Sequence, residues 1–307
     1  MLQLTGDLIV PNAEIAVCFS EVTPTKFRDS ISEPWEYAVP FSEQSARLPH
    51  RYILKMKSLG HVLPLPQPDH TVGFHELAFT PRQRSKMAPY WYNNNYEKGR
   101  MRISPFEGPP IVFFPFLTAE IKRHPLSIEI AERQNAHSMA IAMKGIVGLF
   151  KRVDPKNKPK ELHRKVLGFS IAQNHERVRI HAHYPMTKGG KTTYHRWLVG
   201  DCKWTSEEDK WTAYKFVVSV YHSWVPSHLE RLRSAVDALP DPQHINRRPT
   251  RRVDGTNDPA VPDPDVPDVD MELLASLSDD HRQALAEAGL IRTPDGSDVP
   301  PLSQMPE

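Results

Sequence analysis

Cysteine is nearly absent: Cys18 and Cys202 are the only two in 307 residues. That excludes a disulfide scaffold and a four-cysteine zinc site, and it fits a reducing compartment. Apolar runs are short as well. None approaches the roughly 18 residues needed to span a bilayer. The opening MLQLTGDLIVPNAE has neither the basic n-region nor the long apolar core of a secretory signal. The expectation is an intracellular protein, nuclear or cytoplasmic, with no membrane contact.

Proline, by contrast, is in excess, at 30 residues, about twice the usual share. From Pro240 the composition turns to Pro, Asp and Arg, which predicts a largely disordered tail over 241–307. One amphipathic island in it, 271–289, is a candidate short helix and protein-binding motif. The net charge of +2 hides an asymmetry. From Asp254 onward there are 13 acidic residues against two basic ones, a net of −11, leaving 37 basic against 24 acidic before it, a net of +13. A basic body with an acidic tail suits an anionic partner, nucleic acid above all, and a tail that competes for the same surface or only aids solubility.

Along the chain, residues 1–42 show weak periodicity and read as a leading arm. A globular domain follows over 43–240. It opens with SARLPHRYILKMKSLG, where Tyr52, Ile53, Met56 and Leu59 recur at helical spacing and Gly60 stands at the end. DHTVGF, after Pro68-Asp69, is a short strand. Residues 81–102, PRQRSKMAPYWYNNNYEKGRMR, have no clear period and read as a long loop or insertion. There Arg82, Arg84, Lys86, Arg100 and Arg102 interleave with Tyr90 and Trp91, a mixture able to meet phosphates and stack on bases. The competing reading packs those aromatics down on the body.

The central stretch is IVFFPFLTAEIKR, Ile111 to Arg123. Pro115 cannot donate to a ladder, so the strand is expected to start at Phe116. Alternation then puts Thr118, Glu120 and Lys122 on one face. A carboxylate and an ammonium side by side at the tip of an apolar strand can hold a divalent cation and steady a water nucleophile. A solvated strand end would look the same in sequence. Leu126 to Arg152 predicts a long helix, apolar on two sides and therefore buried on both. Gln134 heads its narrow stripe, in reach of the same strand tip. After a basic linker, strands are expected near Val166–Ala172, Arg177–Tyr184 and Thr192–Val199, with turns at QNHE and TKGGK. His181 and His183, with His195 on the next strand, form a weak metal pattern, and a solvated or anion-contacting face fits them better. Two helices then close the domain, broken apart at Pro226.

Pro68-Asp69 followed by Glu120-Ile121-Lys122 resembles the PD-(D/E)XK signature of the restriction-endonuclease-like nucleases. More closely, SARLPH, PDHTVGF, FPFLTAEIKR, KVLGFSIAQNHERVRIHAHYP, TTYHR and WTAYKFVVSVYHSWVP resemble a set of uncharacterised fungal proteins described as having such a domain, over roughly residues 30–240. The resemblance implies an α/β (α+β) fold with a central mixed sheet flanked by helices. It implies Asp69 and Glu120 as ligands of Mg²⁺ or Mn²⁺, Lys122 beside the attacking water, and Gln134 as the polar residue of the following helix. The activity implied is hydrolysis of phosphodiester bonds in DNA or RNA. The alternative is an inactive scaffold of the same fold that binds nucleic acid or protein.

Overall fold

The computed structural model describes residues 9–16, 26–38, 65–96, 99–154 and 160–242. The helix expected within 43–60, Cys18 and the tail with its island at 271–289 lie outside the described residues. The chain divides into two compact units, one comprising 1–39, 65–91 and 102–246, the other 40–64, 92–101 and 247–307.

The first unit is a mixed α/β body built on a six-stranded sheet. Its strands are β1 (Phe27–Ile31), β2 (His70–Phe74), β5 (Phe113–Ile121), β6 (Gly168–Gln173), β7 (Val178–Lys188) and β8 (Lys191–Cys202), side by side in that order. β1 pairs antiparallel with β2 and β2 antiparallel with β5, while β6 lies parallel to β5. β6, β7 and β8 finish the sheet as an antiparallel meander. A parallel pair needs a crossover, and the helix α3 (Ile128–Val153) supplies it. The second unit contributes to the described residues a separate two-stranded sheet of β3 (Tyr92–Tyr96) and β4 (Gly99–Ile103), with residues 102 and 103 falling in the first unit.

Residues read as a leading arm belong to the body. Ile9, Val10 and Ala13, the last in the short helix α1 (Ala13–Ala16), are buried in the main core, and β1 is a sheet strand. β5 starts at Phe113 rather than Phe116. Pro115 falls where the register with β2 slips between Val72 and Phe74, and Phe114 there takes a φ of 45°. A bulge is where a strand tolerates a residue that cannot donate. Eight of the nine β5 residues are buried, with Phe116 and Leu117 fully so.

α3 is buried on two sides as its sequence required. Met143, Val147 and Phe150 join the main core, while Ile141 and Ala142 pack with Trp35 and Ala38. Gly145 lies so close to the backbone of Pro105 that a Cβ there would stand 2.1 Å from the Pro105 carbonyl oxygen. The stripe of small residues thus meets the Trp35–Pro105 side. The hairpin turn at 188–191 uses Gly189 and Gly190 at φ 56° and 84°, the conformation a two-residue turn demands.

The described residues of 81–102 form regular elements rather than one long loop. α2 (Pro81–Met87) opens with Pro at its first turn and a reciprocal capping box between Thr80 and Gln83, then gives way to β3 and β4. At the other end of the body, Pro226 does not separate two helices. α4 (Thr212–Ser219) runs through a π-helical turn, Val220–Trp224, into α5 (Val225–Asp237), whose first turn holds the proline where its missing N–H costs nothing. Inside this layer His228 is fully buried, stacked on Trp224 at 4.2 Å between centroids and tilted 28° to Phe74, with no hydrogen-bond partner on either ring nitrogen.

Candidate active site

The antiparallel register of β2 and β5 pairs His70 with Ala119 and Thr71 with Thr118. One step further, Asp69 arrives beside the Glu120–Ile121 end of β5, and its Oδ2 accepts a 2.6 Å hydrogen bond from the Ile121 amide. Fifty residues of intervening chain therefore close into direct contact. Glu120 is 3% exposed, and its Oε2 accepts a 2.8 Å bond from Lys122 Nζ. Burial pushes the Glu120 carboxyl above the usual carboxylate range; Lys122 pulls it back, and the charge of Asp69 raises it further. Lys122 is tied to β6 through its amide, which donates to the Gln173 carbonyl at 2.8 Å.

Asp69, Glu120 and Lys122 thus meet at the tips of β2 and β5. The Ile121 amide engages Oδ2 of Asp69 and the Lys122 ammonium engages Oε2 of Glu120, and each carboxylate has a second oxygen. Magnesium-type ions are commonly held by one or two carboxylates, with waters and substrate phosphates completing the shell. The pair fits that pattern. Among the described residues no group of three or more His, Cys, Asp or Glu side chains is arranged to hold a metal ion.

Gln134 is not turned to the sheet. It sits on the exposed side of α3, and its carbonyl accepts from Ser138 Oγ. Its neighbour Asn135 is the polar residue turned to the sheet, fully buried, accepting from Thr118 Oγ1 at 2.7 Å and donating to the Ile171 carbonyl at 2.8 Å. This bridge ties α3 to β5 and β6 just below the Glu120 tip. The clue in the sequence was Asn135-Ser138-Ala142-Gly145, a second way to draw the narrow stripe.

The expected wet face of β7 is largely covered. His181 and His183 lie under α3, and His183 bonds Ser170 Oγ at 2.8 Å. Burial, aided by His181 and Arg196, holds the His183 imidazole down to about 3. Glu132 of α3 enters the same layer, 3.4 Å from Arg179, 3.6 Å from His181 and 3.8 Å from Arg196. His195 pairs across from Tyr184 and stacks on it, one position away from the His183 register, so the three histidines do not converge.

The basic and aromatic residues of 81–102 divide. Lys86 is buried and donates to the Asp237 and Leu239 carbonyls at 2.5 and 2.7 Å, closing the C-terminus of α5. Arg84 bonds the Glu76 and Phe79 carbonyls. Tyr90 packs edge-on against Phe106, with the Arg152 guanidinium 5.2 Å over its ring. Trp91 is half-buried, and Arg82 is exposed, 3.8 Å from Asp241. Lys86, Arg84 and Tyr90 are thus engaged by the body rather than offered to a ligand. The side chains of Arg100 and Arg102 lie outside the described residues.

The fold and site define a mixed α/β protein carrying two carboxylates and a lysine at one rim of its sheet. The chain belongs to the family described as Domain of unknown function (DUF7924), which it matches over residues 1–236. No curated protein and no solved structure matches it. Among the described residues no helix is long and apolar enough to cross a membrane.

Proposed function

We propose that the protein is a metal-dependent nuclease of the PD-(D/E)XK kind, hydrolysing phosphodiester bonds in DNA or RNA. The observation that carries this reading is the convergence of Asp69, Glu120 and Lys122 from two antiparallel strands, followed by a helical crossover into a parallel strand. Mg²⁺ or Mn²⁺ between Asp69 and Glu120 would offset the charge that builds on the phosphoryl oxygens. Hard oxygen ligands favour these ions over zinc. Lys122 would orient the attacking water and neutralise charge on the phosphate, and its bond to Glu120 holds the ammonium at the rim. Glu120, nearly dry, is poised to prefer a cation over bulk water.

The test is cleavage of plasmid and single-stranded substrates with Mg²⁺ and with Mn²⁺. Glu120→Gln and Lys122→Ala should each lower the rate by about 10²-fold or more while circular dichroism stays unchanged. Cleavage without metal, or equal cleavage by the variants, would refute the reading. The second reading, a non-catalytic nucleic-acid-binding module, is favoured by the sparse donor set and the basic body. It prevails when salt-sensitive binding survives Glu120→Gln and no metal binds.

A further inference from the structure

Beyond Lys122 the chain leaves β5 through Arg123 and His124, and beyond Gln173 it leaves β6 through Asn174 and His175. The parallel register pairs Ile121 with Gln173, and the Lys122 amide bond to the Gln173 carbonyl carries the pairing one step past the strands. The two histidines therefore emerge side by side. Their rings stand 5.4 Å apart between centroids, edge to face at 83°, and both side chains are exposed. Neither is held in the core, in contrast with His181, His183 and His228. His124 lies in the turn that leaves β5, and two residues of chain reach at most about 7 Å, so it stands at the same end of the sheet as Lys122. The charged neighbours are Lys122 and Arg123 on its own strand end, and on the facing turn Glu176, which feels His175 and is paired with Lys203 at 2.8 Å.

We infer that His124 is the general acid of this site and His175 the positioning residue that holds its ring; the inference rests on the nuclease reading above. The nuclease reading assigns Asp69, Glu120 and Lys122 to the cation, the phosphate and the water, which leaves the departing oxygen without an assigned proton donor. Imidazole is the side chain best suited to donate near neutrality. In the step, a lone pair of the water oxygen forms the new bond to phosphorus and the surplus water proton passes to solvent. The bond from phosphorus to the leaving ester oxygen breaks with its electron pair on that oxygen. The His124 imidazolium gives its N–H proton to the same oxygen and becomes neutral, and solvent reprotonates it. One strand end is left as a phosphate monoester and the other as an alcohol.

The experiment compares, with Mn²⁺ as the added metal, an oligonucleotide carrying one ordinary linkage with the same oligonucleotide carrying a bridging phosphorothiolate. A thiolate leaves without needing a proton. His124→Ala and His124→Gln should cleave the ordinary linkage about 10²-fold more slowly and the phosphorothiolate close to the unchanged protein's rate. His175→Ala should show the same selective loss to a smaller degree, and His175→Phe, which keeps the ring contact, a smaller loss still. Equal loss on both linkages, or no loss on either, overturns the role of His124 while leaving the nuclease reading intact. If the unchanged protein cleaves neither substrate, both readings fall together.

Discussion

Asn135 and Gln134 are adjacent, yet one is fully buried between helix and sheet and the other faces solvent. Replacing Asn135 with Ala removes two buried hydrogen bonds and leaves the Thr118 hydroxyl without this acceptor. The expected cost is about 1–3 kcal/mol, read as a lower denaturation midpoint, whereas Gln134→Ala should leave stability and cleavage unchanged. The sequence placed Glu120 and Lys122 through strand alternation, which is a strict period of two. It misplaced the helix residue because a helix apolar on both sides fits its stripe at more than one phase, and a slip of one residue turns a side chain by about 100°. Histidines give a second prediction at this scale. Burial holds His183 and His228 down to about 3, against an unfolded imidazole near 6.5. The unfolded chain therefore takes up these protons first as the pH falls. Stability should be full above about pH 6.5 and fall between there and about pH 3, each group adding a slope that approaches about 1.4 kcal/mol per pH unit. Urea titrations at several pH values measure it, and His228→Phe should flatten the curve.

At the scale of elements, the misreadings share a cause. Residues 81–87 look like an irregular basic stretch because their helix is anchored by contacts distant in sequence: Lys86 with the end of α5, and Gln83 Nε2 with Asp237 Oδ2 at 2.9 Å. Lys86→Met should thus destabilise the fold by about 1–3 kcal/mol, since two carbonyls lose their donor, while nucleic-acid affinity measured by anisotropy stays level. Pro226 misled in the opposite sense. Proline interrupts a helix interior but suits a first turn, and only the π-helical turn before it shows which case applies. The meander was readable because its signals are local: alternation in Val178–Tyr184 and a Gly-Gly turn. What sequence alone did not yield was burial of the second face of β7, since His and Arg there read as wet until Glu132 of α3 is seen to face them. Gly145→Ala tests the close approach of α3 to Pro105. A 2.1 Å contact with backbone cannot be relieved by a side-chain turn, and overpacking of this kind costs about 1–3 kcal/mol.

For the whole molecule, the order of helical and strand periods gave the elements, whereas their assembly into a mixed sheet flanked by helices came from the resemblance; the family match takes in residues 1–42, read as an arm, along with nearly all of 43–240. Charge is organised at the same scale. With +13 before residue 254 and −11 after it, a chain ending at 253 should bind a polyanion more tightly than the full chain and with a steeper dependence on salt, which fluorescence anisotropy against a salt series measures. The indole of Trp224 and the imidazole of His228, pressed together at 4.2 Å in the layer behind the sheet, give that body an optical gauge of its own. A protonated ring quenches indole emission and a neutral one does so weakly. Acid that breaches the interior should dim Trp224 before the backbone signal is lost, and the His228→Phe chain should stay bright until it unfolds.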